Sequence, residues 1–69
     1  KLQMKFKVDE WVYYCAFPDL AALSEERSKS VVLSVLENDP IYDYEIYIDG
    51  LGKIKKVKEQ QLFSMPQPT

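Results

Sequence analysis

Residues 41–58, IYDYEIYIDGLGKIKKVK, decide the fold. From Ile41 to Ile48 the chain alternates with a period of two: Tyr42, Tyr44, Ile46 and Ile48 share one face, and Asp43, Glu45 and Tyr47 share the other. That period belongs to a strand with one face buried. Asp49-Gly50, with Gly52 two residues on, supplies hairpin chemistry, and Lys53 to Val57 is the returning arm. A hairpin with a buried face predicts an antiparallel sheet.

Working outward, Phe6 to Phe17 and Ser30 to Leu36 are equally rich in aromatic and β-branched residues and read as two further strands. Pro18 removes a donor after the first. Asp19 to Lys29 turns to Ala, Ser and charge, with Asp19 placed as an N-cap, which predicts a short helical turn in the loop after the first strand. Glu37-Asn38-Asp39-Pro40 is a turn, Glu59-Gln60-Gln61 a tight 3₁₀ turn, and Leu62-Phe63 a closing strand. Four or five short antiparallel strands in about 60 residues are too few for a sandwich. They predict an all-β chain forming a small, strongly bent antiparallel barrel of 4–5 strands, SH3-like in outline. Its inward residues are Val12, Val32, Val35, Tyr44, Ile46, Val57 and Leu62, with Tyr14 and Tyr42 also read as core. Residues 1–63 form the domain, and 64–69, with Pro66 and Pro68, a tail or linker.

Sixty-nine residues allow one small core. Nine Lys and Arg against eleven Asp and Glu leave a net charge of −2, so no global basic field marks a nucleic-acid binder. The chain has no histidine and one cysteine, Cys15. This removes His-based general base chemistry, Ser-His and Cys-His nucleophile pairs and most zinc sites. The acidic pairs Asp9-Glu10 and Glu25-Glu26 are adjacent in sequence and diverge, and two glycines cannot build a phosphate loop. The expectation is a chain that is not an enzyme, with no cofactor and no metal. A lone Cys favours an intracellular origin and, in a strand, reads as a small buried hydrophobe. No apolar run approaches the roughly 18 residues of a membrane span. The start at Lys1 reads as a domain of a larger protein, monomeric in isolation.

The order of these segments resembles the chromo-barrel and Tudor group. The resemblance rests on Phe6 and Val8, Val12, Val32 to Val35, the run Tyr44-Glu45-Ile46-Tyr47-Ile48-Asp49-Gly50-Leu51, and Val57 with Leu62. The long loop after Pro18-Asp19 is similar to that of male-specific-lethal and MRG-type chromo barrels. The resemblance covers about residues 5 to 63. It implies a nuclear, chromatin-associated module that binds a methylated lysine in a cage of three or four rings, since ring faces attract a methylammonium by roughly 0.5–2 kcal/mol each. Here the cage is incomplete. The first position falls near Arg27 to Lys29, with no ring; the second on Ile48 or Tyr47; the third, ordinarily Trp after the Gly, on Leu51.

The expected site is therefore the barrel mouth around Phe17, Tyr47, Ile48, Asp49 and Leu51, binding a protein segment or histone-tail peptide through a degenerate cage. The alternative is weak nucleic-acid binding by Lys53, Lys55, Lys56 and Lys58. Against it, lysines on a strand also guard an edge from aggregation, and Asp43, Glu45 and Asp49 are placed to neutralise them across the hairpin. A third reading is a structural barrel that only positions its neighbours.

Overall fold

A computed structural model describes residues 4–20 and 27–65. It is all-β: β1 (Trp11–Tyr14), β2 (Ser28–Val35), β3 (Tyr44–Ile48), β4 (Lys53–Val57) and β5 (Leu62–Ser64) form one antiparallel sheet in the order β4-β3-β2-β1-β5. The hairpin read from 41–58 is present, with Tyr44 opposite Val57 and Ile48 opposite Lys53.

β2 is the longest strand and lies at the centre of the sheet, where Val31, Val32, Leu33 and Val35 suit a strand paired on both edges. Its pairing steps from Val32 opposite Ile46 to Ser34 opposite Glu45, so Leu33 is one residue extra. Such a bulge reverses the alternation and tightens the local twist. It lets Val32 and Val35, three apart, both turn toward the core. Beyond Trp11 the ladder continues through a turn at Lys7–Glu10. The Asp9 amide donates to the Val32 carbonyl at 2.8 Å and the Val32 amide to that of Glu10 at 3.0 Å. Asp9 takes φ 70, a conformation that Asp tolerates.

Every strand contributes to the core: Val12, Tyr14, Val32, Tyr44, Ile46, Ile48, Val57 and Leu62, joined by Phe6 from the N-terminal segment. Six of the seven expected inward residues are buried, and Val35 is half-buried against the cluster. Phe6 meets Tyr44 edge-to-face at 5.8 Å, and its amide donates to the Tyr44 hydroxyl at 3.0 Å. That hydroxyl donates to Glu59 Oε1 at 2.6 Å, an oxygen that also accepts the Lys5 amide at 2.8 Å. Burial, and then the bond to Glu59, push the Tyr44 phenol up to about 12.

Several expectations are corrected. The sheet is not a closed barrel: β4 and β5 are its two edges. Lys53 and Lys55 lie on the inward side of β4 with their ammoniums solvated, and joining β4 to β5 would desolvate them. Tyr42 is exposed rather than core. Asp39 Oδ1 accepts the amides of Ile41 and Tyr42 at 2.8 and 2.7 Å, which keeps the chain turning until β3 begins at Tyr44. β1 stops at Tyr14, short of Phe17. Ser64, read as the first residue of the tail, pairs with Val12 in β5. A 3₁₀ turn occupies Pro18–Leu20, and β2 has begun by Ser28; residues 21–26 of the expected helical turn, and 66–69 of the tail, lie outside the described residues.

Candidate functional site

The register gathers two loops at one end of the sheet. Tyr14 opposite Ser28, Ser30 opposite Ile48, and Ile48 opposite Lys53 place the end of β1, the start of β2 and the β3–β4 turn together. The turn is built by Gly50 and Gly52, both at positive φ (89 and 65), and closed by the Gly52 amide on the Ile48 carbonyl at 2.9 Å. It is tied to β2 by the Asp49 amide on the Lys29 carbonyl, also 2.9 Å. The loop after β1 is anchored at its root. The Cys15 amide donates to the Gln61 carbonyl and Gln61 Nε2 to the Ala16 carbonyl, each at 2.9 Å.

Phe17, next in the chain, is 69% exposed, and Leu51 at the tip of the turn is 63% exposed. Asp49 is exposed beside it. Tyr47 is partly exposed on the outer face of β3, and its hydroxyl lies 3.7 Å from where a Cβ on Gly52 would stand, so the ring leans toward the turn. Ile48 is a correction. It is 3% exposed and belongs to the core, because it shares the inward face with Tyr44 and Ile46; it offers no surface to a ligand. Of the ring positions that the cage requires, Arg27 lies over the Phe63 ring at 4.8 Å and Leu51 is aliphatic.

The lysines of β4 do not form one stripe. Lys53 and Lys55 face inward, opposite Ile48 and Ile46, whereas Lys56 faces outward, opposite Glu45. Of the three acids expected to neutralise these lysines, Glu45 alone stands opposite one of them, Lys56, in the ladder. Asp43 Oδ2 accepts the Glu59 amide at 2.7 Å, and Asp49 lies in the turn beyond the ladder. Lys55 places its ammonium 5.5 Å from the centre of the Tyr14 ring on β1, a strand that is not its neighbour in the sheet. The sheet curls far enough to bring these two faces together.

One feature escapes sequence reasoning. Trp11 pairs with Val31, Val31 with Tyr47, and Tyr47 with Ile54, so an apolar row crosses four strands on the outer face. Trp11, Tyr47 and Ile54 in it are exposed, with the Lys29 ammonium 5.1 Å from the Trp11 ring. Only the register across the four strands joins these residues.

No protein-family model matches the chain, and neither the curated proteins nor the solved structures gave a match.

Proposed function

We propose that this chain is a non-catalytic interaction module that binds a protein segment at the loop end of its sheet, around Phe17, Tyr47, Asp49 and Leu51. The observation that carries the reading is the pairing of Phe17 and Leu51. They are the two most exposed of the large hydrophobic residues described, and they stand on the two loops that leave the same end. A small domain gains nothing for its own stability from apolar side chains in water, and exposed aliphatic and aromatic groups on loops at one end of a sheet are available to partners. The order of segments, which resembles chromo barrels and Tudor domains, makes a histone tail in the nucleus the first partner to test. The missing rings at Arg27 and Leu51 favour recognition without methyl-lysine selectivity. The division of the lysines between two faces supports a protein partner over duplex nucleic acid, which needs several cations on one surface.

The test is a chemical-shift map with an unmodified histone-tail peptide. The amides of Phe17, Asp49 and Leu51 are expected to move together, and Phe17→Ala with Leu51→Ala to abolish the response. Shifts confined to another face, or none at all, would refute the reading.

A further inference from the structure

We propose that the free edge of β4 binds an extended acidic segment of a partner protein by strand addition, with carboxylates at alternate positions meeting Lys53 and Lys55. This goes beyond the loop-end reading, since it uses neither Phe17 nor Leu51. Three observations carry it. First, β4 ends the sheet, so one side of its backbone is available to pair with an incoming strand. Second, Lys53 and Lys55 stand on the same face two residues apart, about 6.6 Å along a strand, and face Ile48 and Ile46 across the ladder, not carboxylates. Their charges remain to be complemented from outside.

Third, Tyr14, on the face that Lys55 reaches, is 6% exposed and its buried hydroxyl has no hydrogen-bond partner. An unpaired buried hydroxyl is unfavourable, and an anionic acceptor is the partner that would stabilise it most. The Lys55 ammonium already lies over that ring, so a carboxylate drawn to Lys55 arrives beside Tyr14. The residue between the two acids of the incoming strand would point to the outer side of β4, where Ile54 is exposed. The geometry thus selects an acidic–apolar–acidic pattern. A peptide is favoured over nucleic acid because two converging cations and an apolar neighbour match alternating side chains better than a continuous phosphate chain.

The experiment titrates the isotopically labelled protein with the blocked peptide Glu-Val-Glu-Val-Glu, following backbone amides and lysine side-chain resonances. Saturable shifts along residues 53–57 and in the Lys53 and Lys55 side chains are expected. Lys53→Gln with Lys55→Gln should weaken binding at least tenfold, and Lys56→Gln with Lys58→Gln threefold or less. Tyr14→Phe should weaken it about tenfold, the scale of a hydrogen bond to a charged acceptor, while leaving the melting temperature unchanged or raised, because the hydroxyl has no partner to lose. Phe17→Ala should leave peptide affinity as it was, which separates this site from the loop end. Equal losses from both lysine pairs, no effect of Tyr14→Phe on affinity, or no saturable shift in β4 would each overturn the proposal. So would tighter binding of a six-nucleotide oligothymidylate through the same lysines.

Discussion

Replacing Tyr44 with Phe removes one oxygen and tests how the N-terminal segment is held to the sheet. In the folded protein this hydroxyl accepts the Phe6 amide at 3.0 Å and donates to Glu59 at 2.6 Å. The ring itself stays, so the edge-to-face contact with Phe6 persists and no large cavity opens. The Phe6 amide is left buried without an acceptor, which costs about 1–3 kcal/mol. Glu59 loses one donor but keeps the Lys5 amide, a further loss of about 1 kcal/mol or less. The sum is about 1–4 kcal/mol, a large share of what a small domain has. At the size of this chain it should lower the melting temperature by about 4 °C or more. Thermal unfolding at neutral pH reads the magnitude, and amide hydrogen exchange at Phe6 reads the cause, since that amide should lose protection.

The same variant predicts a dependence on pH whose sign is fixed. Between pH 10 and about 12 the unfolded chain releases the Tyr44 proton while the folded chain retains it, because burial and Glu59 push the phenol up to about 12. The folded state then binds more protons than the unfolded one, so stability falls as pH rises through this window. Tyr44→Phe lacks that contribution. The stability gap between the two proteins should therefore narrow from pH 10 upward, while the other tyrosines, common to both, cancel. A variant that melts with the parent at neutral pH, or a gap that stays constant to pH 12, would refute the account.

Ile46→Ala should cost roughly 2–5 kcal/mol by denaturant unfolding, since Ile46 is fully buried in the middle of β3; a midpoint equal to the parent's would mean the core is elsewhere. Gly52→Ala should cost about 1 kcal/mol from its φ of 65 alone, because the nearest contact, the Tyr47 hydroxyl at 3.7 Å, is an ordinary one. An unchanged or raised urea midpoint would contradict it. For matched histone peptides in a calorimetric titration, trimethylation of a lysine should improve affinity less than tenfold, about 1.4 kcal/mol, because Leu51 and Arg27 stand where rings are needed. A larger preference would mean that Phe17 and Tyr47 form a cage.

The parts of this fold that were legible in the sequence are those where local chemistry and tertiary pairing agree. Gly50 and Gly52 fix the hairpin, so the bounds of β4 and of the 3₁₀ turn at Glu59–Gln61 match their expected positions. The misses occur where a side chain captures the backbone. Asp39 holds two amides and delays β3 past Tyr42, and Gln61 holds the chain at Cys15 and Ala16, which ends β1 although Phe17 is as apolar as any strand residue. The spacing of Val32 and Val35 is compatible with a strand only through the bulge at Leu33, and nothing local announces one. At the candidate site, Phe17, read as the end of the first strand, lies in the loop after β1, while Asp49 and Leu51 lie in the β3–β4 turn. Ile48 is not available, because its alternation with Tyr44 and Ile46 carries it inward.

The β4 strand shows why the rest was not legible. Its two apolar residues, Ile54 and Val57, lie on opposite faces, so alternation alone leaves open whether Ile54 with Lys56, or Val57 with Lys53 and Lys55, turns toward the core. A slip of one residue would exchange the two sets. The decision comes from outside the strand. The Asp43 amide donates to the Val57 carbonyl at 2.9 Å, and the Asp43 carboxylate accepts the Glu59 amide at 2.7 Å. Glu59 in turn holds the Tyr44 hydroxyl. Asp43 and Glu59 thereby clamp Val57 opposite Tyr44, both fully buried. Once that pair is set, Ile54 must face outward beside Tyr47, completing the apolar row, and Lys53 and Lys55 must face inward, where their solvation keeps the sheet open. Two carboxylates at the far end of the hairpin thus hold the pairing that the glycine turn begins, and with it the surfaces that β4 presents.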